Sequence, residues 1–329
     1  MPLLPVIASP TSSRPHQPLV VLQSSVSQTC LPVLRRFIQP TNPPSRTFLF
    51  CFLYPPSALT RDWSDTSDVH GSLQVFDWTE RIPGYTVASD PREDVLTAVG
   101  SAPAGSIHVV IDSVDTLASD IGSDSQTYRL LKALLDMISS RTCPSVLVLH
   151  LLPCPLLAAL VQTSFSPTLT HIVAHPPALV THLATSYLTP PPPVGSPEKF
   201  WNVFIPISER ALESQRLVYG FDGSGTSSGE GLYADESVVE LVVRGWGSEG
   251  RKRGIERVIE GWRGNAPEDL HKLDCLKSIW PQKKTVDEKA PDPTQNLSFN
   301  LNLTPSQEKS RAQVPLPYVH EGKPSAFIS

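Results

Sequence analysis

The chain has 329 residues, of which 40% are hydrophobic and 18% are charged, with 34 prolines and a net charge of −5. This length suits about two domains, or one large α/β domain followed by a tail. Proline usage is about twice the average, so much of the proline is expected in loops and tails. The acidic balance excludes a globally basic nucleic-acid-binding protein, although a local basic patch is compatible with it.

The cysteines and histidines do not form metal or disulfide motifs. The five cysteines are odd in number, widely scattered and without CxxC spacing, which suits a reducing compartment. His171 and His175 are four residues apart, but Pro176 follows directly and the neighbouring sequence contains no acidic residue. We therefore expect no metal site.

No segment has the pattern of a membrane-spanning helix or a secretory leader. The first seven residues are apolar but lack a basic region and are interrupted by prolines. The longest apolar run, 145–161, contains His150, Pro153 and Pro155, whereas a membrane helix needs about 20 apolar residues. We expect a soluble intracellular protein that does not bind membranes.

The first half of the chain alternates between strand and helix patterns. Apolar, β-branched runs predict strands, and apolar residues at helical spacing predict helices. Strands are expected at 18–23, 47–54, 73–77, 106–112, 145–151 and 169–174, and helices at 30–39, 126–139 and 155–163. Because these strands are almost continuously apolar, they predict a mostly parallel sheet with helices on both faces.

The second half has a different pattern. Residues 200–207, 215–221 and 237–244 resemble strands, and the Gly/Ser-rich segment 222–235 would join the last two as an antiparallel hairpin. The predicted organisation is a disordered segment 1–17, an α/β domain 18–250, a charged linker 251–292 and an interaction tail 293–329.

The chain has the skeleton of a P-loop ATPase without its phosphate loop. That loop reads GxxxxGK[ST], because glycines let backbone N–H groups surround the phosphates and a lysine neutralises their charge. Here the turn after the first strand, 24–29, contains neither glycine nor lysine. Asp112 follows a strand at the position of a magnesium-binding acid. Without a phosphate cradle, we interpret Asp112 as a cap of the following turn, together with Ser113 and Asp115.

Other catalytic patterns are missing from the sequence. No GxSxG elbow is present, and the cysteines have no recognisable catalytic partner. The glycines of segment 222–235 are expected between two strands, so no helix N-terminus would face a ligand there. We therefore assign no catalytic residue, cofactor site or metal ligand.

One basic cluster is a candidate nucleic-acid contact. It consists of Arg251, Lys252 and Arg253, with Trp246 and Trp262 nearby. Arginine beside an exposed aromatic ring can hold phosphates and stack on unpaired bases. The alternative is a solvated charged loop, because glutamates are interleaved with the basic residues.

The C-terminal tail has the most distinct pattern. Apolar residues alternate with polar ones at Leu297, Phe299, Leu301 and Leu303, which predicts a strand whose apolar face needs a partner. Such a strand would add to a sheet edge of this chain or of a neighbouring subunit. A short helix is expected from Thr304, with Pro305 in its first turn.

The tail resembles that of the Elongator complex protein 5 family. The matching residues are Pro293-Thr294, Asn296-Leu297-Ser298-Phe299-Asn300-Leu301, Leu303-Thr304, Gln307, Arg311-Ala312, Val314, Leu316-Pro317-Tyr318 and His320. This resemblance implies a RecA-like fold without ATP-binding motifs and a hexameric ring containing two copies each of this chain and Elongator complex proteins 4 and 6.

The resemblance also implies the function and location of the chain. The chain would be a non-catalytic subunit, found in cytoplasm and nucleus, of the complex that modifies C5 of the wobble uridine in tRNA. The ring would bind tRNA and contact the remaining Elongator subunits, with Tyr318 and the apolar tail residues as partner contacts. An arginine acting on a neighbour's ATP would come from Arg210, Arg216 or Arg244. The alternatives are a degenerate P-loop NTPase and a stand-alone adaptor that binds a protein through Pro190–Pro193.

Overall fold

Continuous apolar strands form the centre of a nine-stranded sheet. The computed structural model describes residues 17–40, 44–60, 73–81, 90–220, 235–246, 254–280 and 305–313. The strands are β1 (Leu19–Gln23), β2 (Arg46–Cys51), β3 (Leu73–Asp77), β4 (Ile107–Ile111), β5 (Val146–Leu151), β6 (Leu169–His175), β7 (Glu236–Trp246), β8 (Gly254–Arg263) and β9 (Ala266–Glu268).

The strand order is β3-β2-β4-β5-β1-β6-β7-β8-β9. Strands β1 to β6 are parallel, and β7, β8 and β9 each pair antiparallel with the preceding strand. The first strand lies between β5 and β6, and the strand that precedes Asp112 lies next to β5. This is the mostly parallel sheet that the sequence predicts, with antiparallel strands at its C-terminal end.

Helices cover both faces of the sheet. They are α1 (Leu31–Ile38), α2 (Pro56–Leu59), α3 (Pro91–Gly100), α4 (Val114–Ile121), α5 (Asp124–Ser139), α6 (Pro155–Leu160), α7 (Pro177–Ser186), α8 (Pro197–Ser208) and α9 (Ala211–Tyr219). Helices α3 to α6 pack against one face, and α1 and α2 against the other. A third core cluster joins α7 and α8 to β7, β8 and two 3-10 turns, Leu270–Lys272 and Asp274–Ile279.

Two predicted strands are helices. Residues 200–207 lie in α8 and most of 215–221 lies in α9. In α8, Phe200, Phe204 and Ile207 are buried at a spacing of four and three residues, and Pro197 is in the first turn, where its missing N–H costs nothing. The aromatic and β-branched content of this segment suggested a strand, but the buried positions have helical spacing.

The predicted hairpin of 215–221 with 237–244 and the predicted linker 251–292 are also wrong. Strand β7 pairs with β8 rather than with a strand at 215–221. Residues 254–263, which were expected in a charged linker, form β8, and residues 266–280 continue the folded unit. The sequence pattern does not reveal β8, because its buried residues 259–262 are consecutive and include Glu260 and Gly261.

The C-terminal part of the chain forms a separate unit. Within it the structure describes 305–313, where α10 (Pro305–Ala312) confirms the predicted helix. The segment 1–16 and the tail residues Leu297, Phe299, Leu301, Leu303 and Tyr318 lie outside the described residues. Among the helices that are described, none is both long and apolar enough to cross a membrane.

Candidate functional site

The carboxyl edge of the parallel strands is where α/β proteins bind ligands. Three polar residues meet there. Ser24 directly follows β1, Asp112 directly follows β4, and His150 lies near the end of β5. Strands β1 and β5 are neighbours, with Leu22 opposite His150. This is the position that the sequence identifies as the missing phosphate loop.

Ser24 connects the start of α1 to β5. Its Oγ lies 2.7 Å from Nε2 of His150 and accepts a hydrogen bond from the backbone N–H of Cys30, also at 2.7 Å. Both Ser24 and His150 are buried. Between Ser24 and Cys30 the chain makes a tight turn, in which the N–H of Ser25 donates to the carbonyl of Gln28.

The backbone donors at the start of α1 are used within the chain. The N–H of Cys30 is bonded to Ser24, and the N–H of Leu31 donates to Oγ1 of Thr29 at 3.2 Å. Pro32, the next residue, has no N–H. A phosphate loop works because such donors point at the ligand. Here the same donors are bonded to serine and threonine side chains, so this turn offers no phosphate cradle.

Asp112 is held by the loop that follows β2. Its carboxylate accepts hydrogen bonds from the backbone N–H groups of Phe52 at 2.7 Å, Leu53 at 3.0 Å and Tyr54 at 2.7 Å. Burial raises the pKa of this carboxyl, and the backbone donors act in the opposite direction. The prediction that Asp112 caps the following turn is wrong. Ser113 is the residue that caps α4, and the carboxylate of Asp112 binds the loop after β2 instead.

His150 links Ser24 to the backbone of Asp112. Its Nδ1 lies 2.5 Å from the backbone carbonyl of Asp112, which can only accept, so Nδ1 carries the proton. Nε2 then accepts from the hydroxyl of Ser24, which is free to donate because its lone pair receives the N–H of Cys30. Burial lowers the pKa of His150 and keeps the imidazole neutral. The result is one continuous chain of hydrogen bonds across β1, β5 and β4.

The Ser24–His150 pair has the composition of a nucleophile and its base, but the surroundings do not suit catalysis. Ser24 is 3% exposed, so a substrate cannot reach its hydroxyl. A backbone carbonyl rather than a carboxylate orients the imidazole. Sequence reasoning missed this pair because the two residues are 126 positions apart and lie in no motif.

A second polar cluster lies on the sheet beside this site. Glu240 on β7 pairs with His175 at 2.9 Å and with Arg257 at 3.2 Å, and Nε2 of His171 lies 3.0 Å from Oε1 of Gln23. Burial lowers the pKa of His171 to about 4, so its ring is neutral. The polar side chains of this cluster therefore form hydrogen bonds and ion pairs with one another. Among the described residues, no group of three or more His, Cys, Asp or Glu side chains could hold a metal ion.

The structure shows the contacts of two arginines that were candidates to act on a neighbouring subunit's ATP. Arg244 donates to the backbone carbonyls of Val161, Gln162 and Ser166, so its guanidinium is engaged within this chain. Arg210 pairs with Glu213 at 2.9 Å on the surface.

Trp262 is not the exposed stacking ring that the basic cluster would need. It is buried, and its Nε1 donates to the carbonyl of Gly264. Arg251, Lys252 and Arg253 lie outside the described residues, and they remain a prediction from the sequence.

Comparisons with known proteins leave the family of this chain open. No family model matches the sequence, and no curated protein matches it. Among solved structures, a crystal structure of a KaiC-like protein from the hyperthermophilic archaeon Pyrococcus horikoshii is similar, with 10% sequence identity and a TM-score of 0.40. That similarity covers 78% of this chain and 90% of the archaeal chain.

Proposed function

We propose that this chain is a non-catalytic subunit of the Elongator complex, in a hexameric ring with Elongator complex proteins 4 and 6. In this role it supports C5 modification of the tRNA wobble uridine through tRNA binding and release by the ring. One observation carries the proposal: Ser24 and Thr29 occupy the backbone donors of the turn after β1, where a RecA-like sheet would hold its nucleotide. The tail resemblance at 293–320 supplies the identity of the assembly.

The first alternative is a degenerate NTPase, and the hydrogen-bond network argues against it. ATP binding would require the Cys30 and Leu31 N–H groups to leave their side-chain partners. A magnesium ion at Asp112 would have to displace three backbone donors from a buried carboxylate. The loss of the Cys30–Ser24 and Phe52–Asp112 bonds would leave buried polar groups without a partner, which is costly, whereas the Leu31–Thr29 bond is exposed.

The second alternative is an adaptor that presents Pro190–Pro193 to a partner. A proline-rich ligand is recognised as an exposed, extended helix. Here Pro191 is buried, and the N–H of Gly195 donates to its carbonyl, which closes a tight turn. A Cβ at Gly195 would lie 2.0 Å from the carbonyl oxygen of Pro190, so the turn depends on glycine. This geometry argues against the adaptor.

Native mass spectrometry of the chain, co-expressed with Elongator complex proteins 4 and 6, tests the proposal. The expected species contains two copies of each chain. A stable monomer that ignores both partners would contradict it. In parallel, the isolated chain is titrated with MgATP, and we expect neither turnover nor a shift in melting temperature. Turnover by the isolated chain would support the NTPase alternative instead.

A further inference from the structure

Serine or threonine directly precedes proline at five positions of the chain, and one of these positions differs from the rest. The five are Ser9, Ser166, Thr189, Ser196 and Thr304. Of the three that the structure describes, Ser166 and Thr189 are each 2% exposed, whereas Ser196 is exposed. Ser196 is also the only one of the five with a basic residue, Lys199, three positions later. Exposure and local sequence therefore single out the same serine.

The hydroxyl of Ser196 is not used by the helix that follows it. Ser196 directly precedes α8 and has an extended backbone, with a φ of −63° and a ψ of 126°. A serine at this position usually accepts a hydrogen bond from a backbone N–H of the first helical turn, but Ser196 accepts none. The next three residues, 197–199, are exposed as well. An enzyme can therefore approach this hydroxyl from solvent.

Recognition of this segment requires little unfolding. A protein kinase binds the acceptor serine and the residues after it as an extended chain, so the first turn of α8 has to open. Before Phe200 that turn contains no buried side chain, and the helical bond to the carbonyl of Ser196 comes from the N–H of Phe200 at 3.0 Å. Helix ends without a side-chain cap open more readily than the buried middle of a helix. The buried residues of α8 can stay in place while the segment is bound.

We propose that Ser196 is a phosphorylation site for a proline-directed protein kinase. Such a kinase offers no acceptor for the N–H of the residue after the serine, and Pro197 has no N–H. Lys199 supplies a cation for an anionic group of the kinase. In the reaction, Oγ of Ser196 bonds to the γ-phosphorus of ATP and the bond from that phosphorus to the bridging oxygen breaks. ADP leaves, and the hydroxyl proton passes to the catalytic carboxylate of the kinase.

The phosphate supplies the cap that α8 lacks. It lies at the positive end of the helix dipole, where the N–H groups of Glu198 and Lys199 have no acceptor within the helix. The ammonium of Lys199 is in the same turn and pairs with the phosphate. Because the buried side chains of α8 belong to the third core cluster, phosphorylation stabilises this part of the fold. The inference does not depend on the ring proposed above.

The test incubates the folded full chain with MgATP and a purified cyclin-dependent kinase, and mass spectrometry maps the phosphate. We expect phosphate on Ser196, and Ser196→Ala should abolish this uptake. Lys199→Ala should slow it about tenfold or more, because the kinase loses a charged contact. The matched control is Lys309→Ala, which removes an exposed lysine five residues after Thr304 and should leave the rate unchanged.

Three results would overturn the phosphorylation site. They are phosphate on Ser9 or Thr304 but not on Ser196, uptake at Ser196 only after the chain has been unfolded, and equal rates for Lys199→Ala and the wild type. The melting temperature tests the cap. The phosphorylated chain should melt about 2–4 °C higher than the untreated chain, and Ser196→Ala should not change on the same treatment. An unchanged or lower melting temperature of the phosphorylated chain would overturn the capping role.

Discussion

The carboxylate of Asp112 accepts a hydrogen bond from the backbone N–H of Tyr54 at 2.7 Å, across 58 residues of sequence. With the N–H groups of Phe52 and Leu53, three successive backbone donors surround one buried carboxylate. Such a concave row of N–H groups is an anion-binding arrangement, and here the anion is a side chain of the same protein. The strand-end acid therefore fixes the loop after β2.

Replacing Asp112 with alanine should destabilise the protein rather than remove an activity. One buried and two partly buried N–H groups would lose their acceptor, and we expect a loss of about 3–5 kcal/mol in the free energy of unfolding. Urea denaturation measures this loss. Asp115→Ala, in the same region, should cost less than about 1 kcal/mol, because Asp115 is only partly buried. Equal stability of Asp112→Ala and the wild type would contradict the anchoring role.

Acid should weaken the fold through His171. Burial lowers its pKa in the folded protein to about 4, whereas the unfolded chain has the ordinary value near 6.5. Between these values the unfolded state binds a proton that the folded state excludes, so stability falls as the pH drops from about 6.5 to 4. The loss is up to about 3 kcal/mol.

Urea denaturation of His171→Gln as a function of pH isolates this effect. Glutamine keeps an N–H donor for the side chain of Gln23 but does not titrate. The variant should lose most of the slope between pH 6.5 and 4. A residual slope is expected from His150, whose pKa is also lowered by burial. A pH profile that matches the wild type would show that folding does not change the pKa of His171.

Glu236 should account for a second, more acidic transition. Burial alone would raise its pKa, but the N–H groups of Cys275 and Asp274 and the guanidinium of Arg263 outweigh this and lower it to about 2. Its stabilisation is present above pH 4.5 and is lost as the pH falls through about 2.

Glu236→Gln should be less stable than the wild type at pH 7, by up to about 3 kcal/mol, and equally stable near pH 2. Glu268→Gln is the matched control, since this carboxylate pairs with Lys272 on the surface. A constant difference between Glu236→Gln and the wild type across the whole pH range would rule out the ionic explanation.

The sequence was sufficient to predict the parallel half of the sheet, but of the antiparallel half it predicted β7 and not its partners β8 and β9. Strand β4 is buried on both faces, and four of its five residues are apolar, so the strand can be recognised from the local sequence alone. In β7 and β8, Glu240 and Glu260 are buried, and Glu240 pairs with His175 on β6 and with Arg257 on β8. Their burial depends on tertiary contacts, which no local pattern contains.

In the site, too, the local features can be predicted from the sequence and the long-range contacts cannot. The missing glycines and lysine are local, so the absence of a phosphate loop is visible in residues 24–29. What replaces the loop depends on contacts between Ser24 and His150, and between Asp112 and Tyr54, which are 126 and 58 residues apart. No spacing rule connects these residues, because the strand order brings them together.

The apolar tail residues should be needed for assembly. Replacing Leu297, Phe299 and Leu301 with serine removes three side chains that each contribute roughly 1.5–3 kcal/mol if fully buried by a partner. Ring yield in native mass spectrometry should fall sharply. The matched control replaces the alternate residues Ser298, Asn300 and Asn302 with alanine, which should have little effect. Similar yields from both triple variants would mean that the alternation serves no apolar contact.

The basic cluster should contribute to tRNA binding by the ring. Replacing Arg251, Lys252 and Arg253 with serine removes three cations that can neutralise phosphates. Each phosphate contact contributes about 0.7–0.9 to the slope of log affinity against log salt concentration, so the slope should fall by about 2–3. Filter binding of tRNA at several salt concentrations measures both the weaker affinity and the smaller slope.

The control removes three exposed cations elsewhere, Arg129, Lys272 and Lys277, which gives the same change in net charge. If the cluster acts by position, the control ring should bind tRNA with nearly the wild-type affinity and slope. If both triple variants lose affinity equally, the total charge of the ring governs tRNA binding, and this cluster has no special role. The reason is that a long-range electrostatic field depends on the sum of the charges, whereas a direct contact depends on the position of each charge.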